Sequence, residues 1–144
     1  MNKIIRYVPV VTIMIIIFMF SNQPADDSTK VSDSFILSIA HLLNLNIIPD
    51  DNITHIVRKS AHFTIYLLLG LAVINLIITY RQKMAKTIII SIIVCLLYAI
   101  SDEIHQMFIP GRSAEIIDIC IDTLGATIGI ILYKTFYKSN NLEG

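Results

Sequence analysis

Four long runs of apolar residues, separated by polar stretches, dominate the pattern of the chain. They cover residues 4–20, 62–80, 87–109 and 116–137. A helix needs about 20 mainly apolar residues to cross a bilayer, and within lipid it satisfies its own backbone hydrogen bonds. The pattern therefore predicts an all-α polytopic membrane protein, a small bundle of four transmembrane helices in which residues 1–144 form a single domain.

The stretch between the first two runs, residues 21–61, is a polar loop with a periodic middle. Apolar residues recur there at mixed three- and four-residue spacing, and Pro49 follows. This spacing predicts an additional amphipathic helix from about Ser32 to Leu45. Two placements stay open for it: in the outer membrane interface, or packed on the bundle as an ordinary loop helix.

The composition agrees with a chain that is dissolved in a bilayer. The mean hydropathy is +0.71 and only 15% of the residues are charged, whereas soluble domains carry about a quarter. The zero net charge provides no basic field for binding nucleic acid. Cys95 and Cys120 lie inside apolar runs, so we expect two small core residues and not a disulfide or a zinc site.

The distribution of Lys and Arg predicts the orientation. Seven of these eleven residues fall on the side of the two termini, which places both termini in the cytoplasm of a multi-pass plasma membrane protein. The first run lacks a signal-peptidase site, because Met19 and Phe20 stand where small residues are required. We therefore expect an uncleaved anchor.

Polar side chains gather near the outer ends of the predicted helices. They share spacings of three or four residues: Arg58, His62 and Tyr66 with Lys59 beside them; Asp102, His105 and Gln106 with Glu103 beside them; Glu115, Asp118 and Asp122. Gly125 and Gly129 continue the last stripe and permit close approach of another helix. Ionisable residues inside a membrane generally mark function, which favours a polar pocket at the outer boundary. A purely structural ion-pair network is the alternative.

Three stretches together resemble the VanZ-like family, named for an accessory protein of glycopeptide-resistance clusters. They are FSNQP, RKSAHFTIYLLLG and SDEIHQMFIPGRSAEIIDICIDTLGATIG, and the resemblance extends from residue 20 to about 130. The family pattern falls on Gln23, Lys59, His62, Tyr66, Asp102, Glu103, Gln106, Pro110, Gly111, Arg112, Asp118, Asp122 and Gly125. The resemblance implies an envelope protein of a Gram-positive bacterium, associated with resistance to teicoplanin-type lipoglycopeptides.

The chain departs from the family pattern at one position. Ile65 stands before the Tyr of the second stretch, where family members often have Glu. Helical spacing points Ile65 away from the stripe of Arg58, His62 and Tyr66. We therefore expect the replacement to have little effect on the pocket.

Two functions fit these residues best. In the first, the pocket binds or handles the head group of a membrane lipid, a cell-wall precursor or a lipoglycopeptide, and acids orient the cations. Its predicted ligand-binding residues are Arg58, Lys59, His62, Tyr66, Gln23, Gln106 and Arg112. In the second, an intramembrane enzyme acts on a phospholipid or polyprenyl-phosphate head group. Its predicted catalytic candidates are Asp118, Asp122, Asp102, Glu103, His62 and His105.

Whether the protein is an enzyme stays open, because the sequence contains no recognised catalytic motif. No cofactor and no metal site is predicted either. Under the enzyme hypothesis, Asp118, Asp122 and Glu103 are the oxygen ligands that a hard divalent ion would use. A transporter subunit is the least favoured function, since four helices would have to oligomerise around a pore. The oligomeric state is not predicted.

Overall fold

A computed structural model describes residues 3–81 and 83–140 of the chain. Within these ranges it contains five α-helices and no strand: α1 Tyr7–Ser21, α2 Ala25–Leu42, α3 Asp51–Ile77, α4 Met84–Gln106 and α5 Ile116–Asn140. Short 3-10 helices, Lys3–Arg6 and Ile78–Tyr80, precede α1 and follow α3. Four segments are long and apolar enough to cross a membrane: Ile4–Ser21, Asp51–Tyr80, Met84–Gln106 and Ile116–Tyr137. The predicted all-α class with four spanning helices is confirmed.

The second spanning helix begins much earlier than predicted, at Asp51 and not near His62. The difference is about three helical turns. Asp50 caps the helix, because its side chain accepts a hydrogen bond from the backbone N–H of Ile53 over 2.7 Å. The first turns of α3 are polar on one side, so apolar content alone locates the helix too late. The early start is what places Arg58 and Lys59 on a helix.

The third spanning helix ends at Gln106, before the predicted end at residue 109. Residues 107–111 form successive turns that lead to Pro110 and Gly111. Proline disfavours helical geometry in the residue before it and has no N–H to donate. The polar residues of α4 therefore lie in its last two turns.

The predicted amphipathic helix exists as α2, but it runs from Ala25 to Leu42 and so begins and ends earlier than expected. Its buried stripe consists of small and apolar residues at four-residue spacing, Ser28, Ser32, Ile36 and Ala40. Helix α2 packs against α3, and both predicted placements, in the membrane interface or on the bundle, are compatible with this contact. Phe35 and Leu37 on the other sides are exposed, as in helices that contact a membrane interface.

Helices α3 and α5 form the tightest contact of the bundle. A Cβ atom on Gly70 would lie 2.1 Å from the carbonyl oxygen of Ala126, and one on Gly129 would lie 2.2 Å from that of Leu67. Glycine is therefore required at both positions by the close approach of the two backbones. The small-residue face predicted for α5 is confirmed as a helix-packing surface.

The two ends of the bundle carry different polar groups. At one end Arg6 donates to the backbone and side-chain oxygens of Asn75 over 2.8 and 3.0 Å, and Tyr133 donates to the same side chain. Most of the ionisable side chains that contact one another among the described residues lie at the opposite end, where α1 and α4 end and α3 and α5 begin. Cys95 is buried as predicted, but Cys120 is exposed, because its side of α5 does not face another helix.

Candidate functional site

A narrow polar cleft lies between the beginning of α3, the end of α4 and the beginning of α5. Its volume is about 60 Å³, which suits a phosphate-sized group or a few water molecules and excludes a whole lipid. It is lined by Arg58, Lys59, His62, Gln106, Gly111, Arg112, Ser113, Glu115, Asp118, Ile121 and Asp122. Most of the ligand residues predicted from the sequence therefore come together in one place.

The turn after α4 folds over one side of this cleft. Gly111 has a φ of +75°, a conformation that glycine adopts without steric cost. The preceding carbonyl of Pro110 accepts a hydrogen bond from the backbone N–H of Ala25 over 3.2 Å. The turn is thereby docked on the start of α2, and it holds Arg112 over the cleft.

Lys59 is paired with acids of the same cleft. Its ammonium group lies 3.1 Å from a carboxylate oxygen of Glu115 and also contacts the carboxylate of Asp118. The Lys59 side chain is 18% exposed, so the two contacts are only partly screened by water. The charge of Lys59 is therefore neutralised within the protein.

Arg112 is held by neutral acceptors. Its guanidinium donates to the backbone oxygens of Gln23 and Phe20 over 2.9 and 3.1 Å and to the side-chain oxygen of Gln106 over 3.2 Å. The carbonyl of Phe20 is one of the last in α1, where helix carbonyls lack partners in the helix. Burial, and then the positive charge of Arg58, lower the pKa of Arg112.

Arg58 is half-buried, and within residues 3–81 and 83–140 its side chain makes no hydrogen bond or ion pair. The sequence predicts that the acids orient the cations or meet sugar hydroxyls. Among the described residues a carboxylate contacts Lys59, whereas neither arginine has a carboxylate within ion-pair distance. Helical spacing places acids on a facing helix, but it does not determine which cation they reach. In the part of the chain that the structure describes, the two guanidinium groups of the cleft make no direct contact with a carboxylate, although nearby acids act on Arg112 through space.

A second polar layer lies about one helical turn deeper in the bundle. The Nδ1 atom of His62 lies 3.7 Å from a carboxylate oxygen of the fully buried Asp122. Asp102, on α4, accepts hydrogen bonds from the hydroxyl of Ser21 over 2.8 Å and from the amide of Gln106 over 3.2 Å. Ser21 was not among the predicted site residues, although it is the serine of the FSNQP stretch.

Three further predicted residues do not line the cleft. Tyr66 is fully buried about one turn below His62. Gln23 contributes its backbone oxygen to Arg112, and its side chain lines a neighbouring cavity. His105 packs against the ring of Phe18 at 4.7 Å between centroids, on a side of α4 turned away from the cleft. Of the predicted polar residues of α4, Gln106 thus contacts Asp102 directly, whereas the ring of His105 contacts Phe18.

Glu103 holds the start of α5. It is 2% exposed, and its carboxylate accepts a hydrogen bond from the backbone N–H of Glu115 over 2.8 Å. An acid near a helix N-terminus is also favoured by the helix dipole. This geometry gives Glu103 a positioning role for Glu115 and Asp118.

Replacing Glu103 tests that role. We expect Glu103→Leu to lower the free energy of unfolding by about 1.5–3 kcal/mol, because a buried charge-assisted hydrogen bond is lost. Glu103→Gln keeps an acceptor oxygen and should lose less than about half of that amount. Thermal unfolding of both variants in detergent measures the difference, and equal stability of Glu103→Leu and the wild type would contradict the role.

A second, apolar cavity of about 160 Å³ adjoins the cleft between α1, α2 and α3. Arg58, His62 and Arg112 line both. A wider apolar groove of about 570 Å³ follows on the outside of α2 and α3 and shares Phe20, Val31, Ser32, Ala61 and Ile65 with the cavity. An apolar path therefore leads from the surface of the bundle to the two arginines.

Ile65 lies on this path and lines the apolar cavity together with Arg58 and His62. The expectation that it points away from these residues is wrong, because the cavity extends round the side of α3 towards α1 and α2. Ile65 therefore forms part of the apolar wall beside the site.

Comparison with known proteins places this architecture in a family. A sequence model of the VanZ/LLP1 family matches residues 7–137, nearly the whole chain. No curated protein and no solved structure matches the chain significantly. The matched region includes the last three apolar spans, all but the first three residues of the first span, and every residue of the cleft. The chain is thus a multi-pass membrane protein that belongs to the VanZ/LLP1 family.

Proposed function

We propose that this protein binds the anionic head group of a phosphate-bearing lipid of the cell envelope. One observation carries the proposal: Arg58 and Arg112 face the cleft without a carboxylate partner among the described residues. Two half-buried like charges repel each other, and an anion between them would relieve that repulsion. Guanidinium groups bind phosphate through paired, charge-assisted hydrogen bonds.

The apolar path supports a lipid over a free phosphate ion. The cavity and the outer groove are lined mainly by apolar side chains such as Phe20, Val31 and Ile65. A hydrocarbon chain in this groove would lie against these apolar side chains, while its head group meets Arg58 and Arg112. Burial of apolar surface and phosphate pairing would then act on the same molecule.

The proposed setting is the plasma membrane of a Gram-positive bacterium, with both termini in the cytoplasm and the cleft at the outer face. The excess of Lys and Arg on the side of the termini supports this orientation. A head-group site at the outer face would meet lipid-linked cell-wall precursors as well as phospholipids. Tolerance to teicoplanin-type lipoglycopeptides would follow if the occupied site changes how such a drug reaches its lipid-linked target.

Replacement of Arg58 tests the proposal, because this side chain makes no described contact that holds the fold. In nanodiscs of neutral lipid, we expect the wild type to bind added phosphatidate and Arg58→Gln to bind it about tenfold more weakly, as a loss of roughly 1.4 kcal/mol. Arg81→Gln removes an exposed cation at the other end of α3 and should bind like the wild type. Equal weakening by both variants would show a general charge effect and contradict the site.

The same variants extend the test to the cell. A sensitive Gram-positive host would produce the wild type, Arg58→Gln or Arg81→Gln at matched membrane abundance. Relative to the empty vector, we expect the wild type and Arg81→Gln to raise tolerance to teicoplanin more than tolerance to vancomycin. Arg58→Gln should lose this effect. No difference between any of these strains and the empty vector would contradict the proposed role in tolerance, and the nanodisc result would still decide on lipid binding.

An intramembrane enzyme is the second candidate function. The geometry of His62 and Asp122 favours it, because the partly buried imidazole of His62 lies 3.7 Å from the fully buried carboxylate of Asp122. Such a pair could act in general acid–base catalysis below the two arginines. Asp118 is a poorer choice of catalyst, since it is engaged by Lys59. Turnover of a lipid phosphate that is lost in Asp122→Asn, with phosphatidate binding retained, would support this function.

A further inference from the structure

We propose that His62, Asp102 and Asp122 form a binding site for a divalent metal ion such as Mn²⁺ or Zn²⁺. One donor atom from each residue, an imidazole nitrogen and two carboxylate oxygens, lies within 4.8 Å of the other two. The sequence predicts no metal site, and under the enzyme hypothesis it offers a different set of oxygen ligands, Asp118, Asp122 and Glu103. The structure separates that set, because Lys59 occupies Asp118 and the backbone of Glu115 occupies Glu103.

The spacing of the three donors suits one ion. Donors that share an ion with bonds of about 2.1 Å lie roughly 3–4 Å apart. The His62 and Asp122 atoms are already 3.7 Å apart, so small side-chain rotations would bring Asp102 into the same sphere. The three residues come from α3, α4 and α5, and the glycine contacts between α3 and α5 fix two of the three backbones.

Asp122 provides the independent observation that points to a cation. Its side chain is 1% exposed, and both carboxylate oxygens are buried without a hydrogen-bond donor among the described residues. A buried carboxylate generally requires donors, a paired charge or a metal. The imidazole of His62 lies 3.7 Å away, beyond hydrogen-bond distance, and Lys59 is engaged by Glu115 and Asp118. A divalent ion would satisfy Asp122 and Asp102 together.

The surroundings of Asp102 resemble the support that metal ligands usually have. Ser21 and Gln106 donate hydrogen bonds to one of its oxygens, which fixes the orientation of the carboxylate. Outer partners of this kind commonly hold ligands in place. Gln106 in turn accepts a hydrogen bond from Arg112. The metal site and the arginine pair are therefore linked through one side chain.

The donor set indicates the class of ion. One imidazole and two carboxylates suit Zn²⁺ or Mn²⁺, whereas Ca²⁺ prefers six to eight oxygen ligands. Three protein ligands leave coordination positions for water or a phosphate oxygen. His62 and Asp122 also line the cleft, so these positions would face the space below Arg58. The inference does not depend on lipid binding, since the ligands of the ion belong to the protein.

Metal binding by the purified full-length protein tests this inference. After removal of bound ions with a chelator, we expect the wild type in nanodiscs to take up about one Mn²⁺ per chain, observed by electron paramagnetic resonance. Asp122→Asn keeps the shape of the side chain and should weaken binding by at least about tenfold. Asp118→Asn removes an acid one turn away and should change the affinity less than about threefold. The thermal unfolding midpoint should rise with Mn²⁺ in the wild type and in Asp118→Asn only.

A second ligand variant guards against a folding defect. His62→Ala creates a small cavity without burying a new charge, and it should weaken Mn²⁺ binding to the same degree as Asp122→Asn while circular dichroism shows an unchanged helix content. The inference is overturned if the wild type binds neither Mn²⁺ nor Zn²⁺. This is the result expected if Asp102 and Asp122 share a proton and hold no metal ion. The inference is also overturned if Asp118→Asn and Asp122→Asn weaken binding equally. Phosphatidate binding is measured separately in metal-free nanodiscs. It tests the head-group proposal whether or not the metal site fails.

Discussion

Gly70→Ala is expected to disrupt the bundle more than any other single-methyl change. The added Cβ would lie 2.1 Å from the carbonyl oxygen of Ala126 and within 3 Å of two more backbone atoms of that residue. A flexible side chain could move aside, but backbone cannot, so α3 and α5 must separate. Overpacking usually costs about 1–3 kcal/mol, and we expect a cost at or above the upper end.

The separation should also reach the site. His62 lies about two turns before Gly70 on α3, and Asp122 lies about one turn before Ala126 on α5. Their 3.7 Å distance depends on the close approach of the two helices. Thermal unfolding in detergent should show a midpoint lowered by at least about 5 °C. Thr64→Ala, at an exposed position of the same helix, is the control and should unfold like the wild type. An unchanged midpoint for Gly70→Ala would contradict the described crossing.

Arg112→Ala is expected to have the second largest effect, because Arg112 joins three parts of the chain. Its guanidinium connects the end of α1, the segment before α2 and Gln106 of α4. Loss of these bonds should lower the free energy of unfolding by about 2–4 kcal/mol. One hydrogen bond of a charged group contributes about 1.5–3 kcal/mol, and the other two hydrogen bonds of Arg112 add less because they are partly exposed. Phosphatidate binding should fall by at least about tenfold.

Arg112→Lys separates the two contributions. Lysine keeps the positive charge but cannot form the planar fork of hydrogen bonds. We expect Arg112→Lys to remain as unstable as Arg112→Ala within about 1 kcal/mol, and to regain part of the lost phosphatidate binding. Chemical denaturation and nanodisc titration of the two variants give both quantities. If Arg112→Lys were as stable as the wild type, the hydrogen bonds to the Gln23 and Phe20 carbonyls would not hold the site.

The sequence predicts the bundle well because a bilayer permits few alternatives. Apolar length selects spanning helices, and the small residues around Gly125 indicate the face of α5 that meets α3. The start of α3 is harder to predict, because the polar turns from Asp51 onwards do not look like a membrane span. Their helix depends on the Asp50 cap and on packing against α2, and neither is a property of apolar content.

The site is predictable as a group of residues and not as a set of contacts. Helical spacing brings Arg58 and His62 onto one face. It does not predict that Lys59 forms ion pairs with the acids of α5 and its N-terminal turn, while Arg58 forms none among the described residues. The rotation of α4 decides that Asp102 faces the bundle and that His105 meets Phe18. The role of Ser21 cannot be predicted from spacing, because Ser21 and its partner Asp102 are 81 positions apart. The contact is known only once the end of α1 is placed beside α4.

The central claim is that the two arginines hold the phosphate of a lipid whose chain lies along α2 and α3. A phosphatidate with a photoreactive group near the head of its acyl chain, crosslinked in nanodiscs and mapped by mass spectrometry, tests it most directly. The account predicts crosslinks on the apolar path, at residues such as Val31, Ala61 and Ile65, which disappear in Arg58→Gln. Crosslinks spread evenly over the lipid-facing sides of α4 and α5, or unchanged in Arg58→Gln, would contradict it.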